Sequence, residues 1–493
     1  MPIDLTLLRS SCEEGGDIET VVSWQKLRKL PVDPVYVASK LDEERRKMLI
    51  QLNEMRYEIK RCVDRTETKQ LKKNINNLQE ELHAVERKLN VNLSHIGNFV
   101  DVIGNDKIEK MKQKILHKKS HPLPISSGSI INPLWCIEGY ETVTPDSSHL
   151  IGKEVAVLTE RGILLSRAVM DYGCHYIKAR HSRTKMIRLP SPGFVSESIS
   201  ATTGENIPSF PSDFRASRGV LLLQRNQFLP EKSLPTCFCA ITSSQCASLQ
   251  VPESLNIKRE VPTFAHPVDQ LFAVCLSTSD IEKSRIIFLE FAELAVSFLH
   301  SLNISCRITS TPADKLLLCE ICRIKLEVYF PSSKVYREVG HISNVADYFS
   351  RELKVRSGSK QLDDREKYFV HAISLKLMQM DVLLSCLAES NLNEWGIQIP
   401  TTLQSFLGKS EMPFVRIRYK GKGGKILVME EKKYQKLRSR TCQSPKESGI
   451  KKVLANPADN SNNIFADMFP MDPSKSQIRA ESMSSEIIYP FKF

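Results

Sequence analysis

The chain has 493 residues, 41% of them hydrophobic and 26% charged, with a formal net charge of +12. That length accommodates two or three domains and a large core, and the composition is that of a globular protein. No run of about 18 apolar residues occurs, which excludes a membrane-spanning helix. The positive balance suits a polyanionic partner such as a nucleic acid, and equally a soluble basic protein with a charged tail.

The opening stretch, MPIDLTLLRSSCEEGGD, is acidic and nearly free of Arg, unlike a secretory signal or a mitochondrial presequence. The sequence therefore predicts a cytoplasmic protein, with a mitochondrial one as the alternative. Thirteen cysteines are scattered without a framework, which points to reduced thiols in an intracellular compartment. Cys319-x-x-Cys322 has zinc-like spacing but no second pair nearby. Buried strand cysteines are the better account, and no metal site is expected.

Along the chain, Asp17 is placed to cap a helix from about Ile18 to Lys29, which Pro31 and Pro34 end. Two long helices follow. Apolar residues fall at Leu41, Met48, Leu52, Met55, Ile59 and Cys62 or Val63, then at Leu71, Ile75, Leu78, Leu82, Val85, Leu89 and Leu93. Steps of three and four make a continuous seam. The short polar stretch 64–68 between them predicts an antiparallel hairpin spanning residues 1–100 with its leader. The arm would be roughly 40–45 Å long. Its far end carries Lys60, Arg61, Arg65, Lys69, Lys72 and Lys73 against only Asp64 and Glu67. Such a tip suits phosphates; it also suits the solvated face of an ordinary coiled coil.

Residues 101–130 read as a basic linker. The body, 131–415, has an expected helix near 160–180, strands around 219–223, 236–242 and 270–277, and a helix near 283–302. A strand pair at 304–330 follows, then a long helix near 365–391. Strands interrupted by single helices predict an α+β fold with an antiparallel sheet and flanking helices. Residues 416–493, and most clearly those beyond 430, are polar and basic and predict a disordered tail. Lys432, Lys433, Lys436, Arg438 and Arg440 suit RNA or simple solubility. The run from Lys420 to Lys425 lacks phosphate-loop spacing.

Residues 323–351, RIKLEVYFPSSKVYREVGHISNVADYFSR, alternate like a strand through Ile324, Leu326, Val328 and Phe330. They turn at Pro331-Ser332-Ser333, resume from Val335, and end on a polar cluster. This stretch resembles the seryl-tRNA synthetase pattern "LDLEAWFPxxxxFREL" followed by "CSNCTDYQARR". The N-terminal spelling, DLTLLR then GGDIETV, is also similar to the start of a eukaryotic cytosolic-type member. The resemblance implies a class II synthetase fold, a helical arm that grips tRNA, and a dimer formed through a motif 1 proline at Pro190. It makes Glu338, with Ser343 and Asn344, a substrate-binding remnant of the serine site, or else polar groups that satisfy one another at a sheet edge.

The family's activation chemistry needs arginines on ATP. Its "LPIKYAGLSTCFRQE" aligns with LPTCFCAITSSQCAS at 234–248, which puts Cys246 where the catalytic Arg belongs and Ser248 where the Glu belongs. Its "ATTRTICAILEN...GITVP" aligns with QMDVLLSCLAES...GIQIP, which puts Val382 at the motif 3 Arg, beside Asp381. The "TSE" loop has no counterpart; GVLLLQRNQF at 219–228 stands there, with Arg225 its one cation. The expectation is a seryl-tRNA synthetase-like protein of the noncatalytic Slimp type, with no catalytic residues and no cofactor. It would bind tRNA, in the first place tRNA-Ser, and pair with itself or with an active seryl-tRNA synthetase. The alternatives are a divergent active ligase using ATP and magnesium, and a coiled-coil scaffold without RNA.

Overall fold

A computed structural model of the chain describes residues 3–9, 15–61, 65–101, 132–142, 155–181, 184–189, 215–244, 261–264, 268–358, 368–393, 396–420 and 426–429. The expected linker beyond residue 101, the tail from residue 430, and Pro190 lie outside them. Where the sequence predicts the tail to begin, Ile417–Lys420 and Ile426–Met429 pair as an antiparallel hairpin.

The leader helix α1 (Ile18–Leu27) begins as expected, with the Asp17 carboxylate accepting from Thr20 N–H at 3.2 Å. Pro34 stands in the first turn of α2 (Asp33–Arg61), where its missing N–H has no intrahelical partner to lose. α3 (Arg65–Leu93) returns along it. Each helix has 29 residues, about 43 Å at 1.5 Å per residue. Of the expected seam, Leu52, Ile75, Leu82, Val85, Leu89 and Leu93 are buried.

The body is built on seven strands: β1 (Lys185–Arg188), β2 (Thr236–Ser244), β3 (Val268–Ser277), β4 (Cys306–Ser310), β5 (Cys322–Phe330), β6 (Val335–Ala346) and β7 (His371–Gln379). Their order is β1-β2-β3-β7-β6-β5-β4, and every pairing except β1 with β2 is antiparallel. α4 (Glu160–Arg180), α5 (Arg215–Leu223), α6 (Ile281–Ser301), α7 (Tyr348–Leu353), α8 (Met380–Ser390) and α9 (Thr401–Leu407) complete it.

Two expectations change here. Residues 219–223 are not a strand but the end of α5, where Ala216, Val220 and Leu221 bury one helical face. The expected helix from 365 begins only at Met380, because 371–379 is β7. β7 is central and every residue from His371 to Met378 is buried; Ile373, Leu375 and Leu377 alternate with Ser374 and Lys376 as a strand does, but the run continues without a break into the apolar start of α8.

Over β2, β3 and the start of β7 one sheet face is apolar and covered; further along β7 the same face carries Ser374 and Lys376. Phe238, Ala240, Phe272, Val274, Leu276 and Ala372 pack in one core with Ile3, Leu8, Val21, Val22, Val220 and Phe349, from the leader, α5 and α7. Leu271, Ala273, Cys275, Ile373 and Leu375 alternate onto the other face and are buried too. All cysteines among the described residues are buried and free, Cys319 and Cys322 included. Burial pushes both of those thiols well up.

The root of the arm is fastened to the turn before β5. Arg28 donates from Nε to Asn98 O at 3.0 Å, from one terminal nitrogen to Leu317 O at 3.1 Å, and from the other to Glu320 O. Gly97 is glycine because a Cβ there would stand 2.6 Å from Arg28 Cδ. Asn98 Nδ2 donates to Cys319 O and to Val345 O, both at 3.1 Å. Asp101 N–H donates to Ile321 O at 3.0 Å, and its carboxylate takes a two-pronged contact from Arg285 at 2.9 and 2.6 Å. A segment just past the hairpin thus helps position the strand that carries the candidate site.

Candidate functional site

β5 and β6 turn through Pro331–Lys334 as the sequence predicts, Lys334 taking a positive φ of 59°. The pairing then shifts between Glu338 and Gly340. Gly340 allows the irregularity, since a Cβ there would sit 2.0 Å from Lys376 O on β7. The bulge leaves Glu338 partly exposed and sets His341 opposite Lys325 on one side and Lys376 on the other.

Glu338 is surrounded by cations. Arg323 donates to its Oε1 at 3.0 Å, Lys325 Nζ lies 3.6 Å from Oε2, and His341 Nδ1 lies 3.5 Å from Oε1. Burial pushes the Glu338 carboxyl up, but the nearby His341 ring and the charges of Arg323 and Lys325 more than reverse this and hold it at about 2. Arg323 also faces Glu320, at 3.7 Å. Glu320 is fully buried, accepts from Ser343 Oγ and from Leu317 N–H, and is pushed up by its burial against the pull of Arg323.

The structure therefore joins two of the expected remnant residues, Glu338 and Ser343, through Arg323 and Glu320. Asn344, the next residue, points to the opposite face, as strand alternation requires. It is buried, and its Oδ1 accepts from Ala346 N–H at 2.9 Å. Glu320, Arg323, Lys325, His341 and Lys376 are absent from the expected set. Arg323 and Lys325 carried a signal, since they alternate with Ile324 and Leu326 and so share the face of Glu338.

Val382 stands in the first turn of α8, 9% exposed. Its N–H donates to the neighbouring Asp381 carboxylate at 2.8 Å. The other Asp381 oxygen accepts from Gln379 Nε2 at 3.3 Å, and Gln379 Oε1 accepts from Lys376 Nζ at 3.1 Å. A polar line thus runs from His341 past Lys376 to the helix start, and Asp381 is buried within it. Cys246 and Ser248 lie outside the described residues, just beyond the end of β2. Arg225 is exposed in the turn after α5. Among the described residues no three His, Cys, Asp or Glu side chains are grouped to hold a metal ion. Val382, which the resemblance sets at the phosphate-binding arginine, has an isopropyl side chain, which offers a nucleotide triphosphate no donor.

At the end of the arm, Lys60, Arg61, Lys69, Lys72 and Lys73 are all exposed. Arg65 opens α3.

The charged site makes an acid-stability prediction. The Glu338 carboxylate is favoured in the fold relative to an unfolded chain, so its contribution is present above the ordinary carboxylate range and is lost as pH falls from about 4.5 towards 2. Glu320, raised by burial, has the opposite sign and weakens the fold as pH rises through its own titration. Replacing Glu338→Gln should flatten the fall in urea midpoint between pH 4.5 and 2.5. An equally steep fall in the variant would show that Glu338 gains nothing from Arg323, Lys325 and His341.

No family model matches the chain. It is 25% identical over 462 residues to the cytoplasmic serine–tRNA ligase of Dictyostelium discoideum, covering 86% of this chain and 97% of that one. Its fold matches the cytoplasmic serine–tRNA ligase of Naegleria fowleri, solved in complex with AMP, at a TM-score of 0.66 and 19% identity, over 83% of this chain and 98% of that one. It matches the seryl-tRNA synthetase of Pyrococcus horikoshii, solved with ATP, at a TM-score of 0.64 and 17% identity, over 84% and 100%.

Proposed function

We propose that this chain, whose homologues in sequence and in fold are seryl-tRNA synthetases, binds tRNA through its helical arm and does not activate serine. The observation that carries the reading is the start of α8. The place that resemblance gives to a phosphate-binding arginine holds Val382, and the adjoining carboxylate, Asp381, is buried and committed to Gln379 and to the Val382 N–H. A buried carboxylate opposes a triphosphate, and an isopropyl group offers it no donor.

Two further features support the same reading. Glu338 is already matched by Arg323, Lys325 and His341, so a substrate ammonium would have to displace them. The adjacent face of β2 and β3 is apolar and covered by α5. The substrate expected at the arm is tRNA-Ser, the RNA the relatives' names imply.

Serine-dependent ATP–pyrophosphate exchange tests the proposal. No exchange is expected at protein concentrations where an ordinary synthetase saturates the assay. Measurable exchange that requires serine would establish the divergent ligase instead. The chain is further proposed to be cytoplasmic like its relatives, and to pair with itself or with an active synthetase. Ile163 and Leu164 on α4, and Met186, four residues before Pro190 in sequence, are exposed apolar side chains. Sedimentation of the assay preparation at monomer mass, with and without an active synthetase, would refute the pairing.

A further inference from the structure

The arm carries, one turn before the end of α2, an aromatic ring that the hairpin does not bury. Tyr57 is 56% exposed. Arg61, four residues on and therefore on the same helix face, lies over it, with the guanidinium carbon 4.3 Å from the ring centroid. A terminal nitrogen of Arg61 also donates to the Tyr57 hydroxyl at 2.8 Å. The guanidinium is thus held over the ring at the surface by contacts within its own helix.

Charge surrounds the pair. Lys60 and Arg61 are exposed on α2, and Lys69, Lys72 and Lys73 are exposed on α3. Counting along the chain from the connection between the two helices, Tyr57 and Lys69 are equally distant. Lys69 therefore stands at about the height of the ring, and Lys72 and Lys73 about one turn further down α3. A π-surface flanked by cations is the combination that holds single-stranded nucleic acid: the cations take phosphates, and the ring or a guanidinium plane takes a base. Phosphate contacts alone are indifferent to whether bases are paired; a stacking surface is not, because a duplex offers no free base face along its side.

We infer that the Arg61–Tyr57 pair stacks an unpaired base of the RNA held by the arm, so that the arm selects RNA with an extruded or single-stranded nucleotide. This rests on the tRNA-binding reading and adds the chemistry of one contact to it.

The test uses the full chain and a tRNA-Ser transcript, with the dissociation constant measured over a series of salt concentrations. Wild type, Tyr57→Phe, Tyr57→Leu and the double substitution Lys72→Gln, Lys73→Gln are compared. Tyr57→Leu should weaken binding about 5- to 150-fold, the range for one base–aromatic stack, and leave the salt slope unchanged. Tyr57→Phe keeps the ring and should bind nearly as wild type does. The lysine pair should instead lower the slope by about 1.4 to 1.8. Leucine is a good helix former at an exposed site, so circular dichroism should show the arm intact.

If Tyr57→Leu binds like wild type, or changes the slope as the lysines do, the stacking inference is overturned while tRNA binding stands. An equal loss in Tyr57→Phe with lowered thermal stability assigns the effect to packing and also overturns it. Absence of binding by wild type itself overturns the tRNA-binding reading and this inference with it.

Discussion

Charge reversal at the end of the arm, with Lys60, Arg61, Lys69, Lys72 and Lys73 all replaced by Glu, should abolish the shift of tRNA by the purified protein at low salt. Each cation that meets a phosphate releases about 0.7 to 0.9 of a counterion, so losing five contacts removes most of the electrostatic affinity. The new carboxylates then repel the backbone. A fall of at least about a thousandfold is expected. The replaced side chains are all exposed, and such surface changes usually shift stability by under about 0.5 kcal/mol each. The variant should therefore fold and fail only in binding. If it binds tRNA as tightly as wild type, the arm is not the RNA site, and a scaffold or tail-borne RNA function has to replace it.

Arg28→Met should be the most damaging single substitution among those considered. Three carbonyls, the buried ones of Asn98 and Glu320 and the half-buried one of Leu317, take donors from this one guanidinium. Methionine comes near to filling the space but donates nothing. Leaving buried polar groups unsatisfied costs about 1–3 kcal/mol each, so a net loss of about 3–5 kcal/mol is expected. Urea unfolding followed by circular dichroism measures it. Arg28→Lys, with a point charge in place of the fork, should recover only part of the loss. A loss below about 1 kcal/mol for Arg28→Met would show that the root of the arm is held by the remaining contacts of Asn98 and Asp101.

The sequence made the arm and the β5–β6 hairpin legible because their periods are uninterrupted: the leucine steps of α3, and the alternation from Ile324 to Phe330 broken by a proline turn. It hid α5, whose Val220-to-Leu223 run is too short to show a helical period, and β7, whose alternation from Ile373 to Leu377 runs on into the apolar start of α8. The site was legible by likeness at Glu338 and Ser343. Their partners were not, since the contacts of Arg323, Glu320 and Lys376 depend on cross-strand register and on a bulge at Gly340 that only the folded sheet reveals. Asn344 shows the converse. It is adjacent to Ser343 in sequence, and the pleat sends it away.

The fastening of Arg28 also bears on how the protein is made. Its acceptors at Leu317 and Glu320 lie 289 and 292 residues further along the chain. At a synthesis rate of about 5–20 residues per second, the ribosome needs roughly 15 to 60 seconds to deliver them. During that interval α2 and α3 can already zip together from purely local contacts, while the guanidinium and the apolar side chains of the leader wait without their sheet. The arm is thus an early folding unit and its root a late one. Cotranslational association with a chaperone or a finished subunit would find the unclosed root, not the tip.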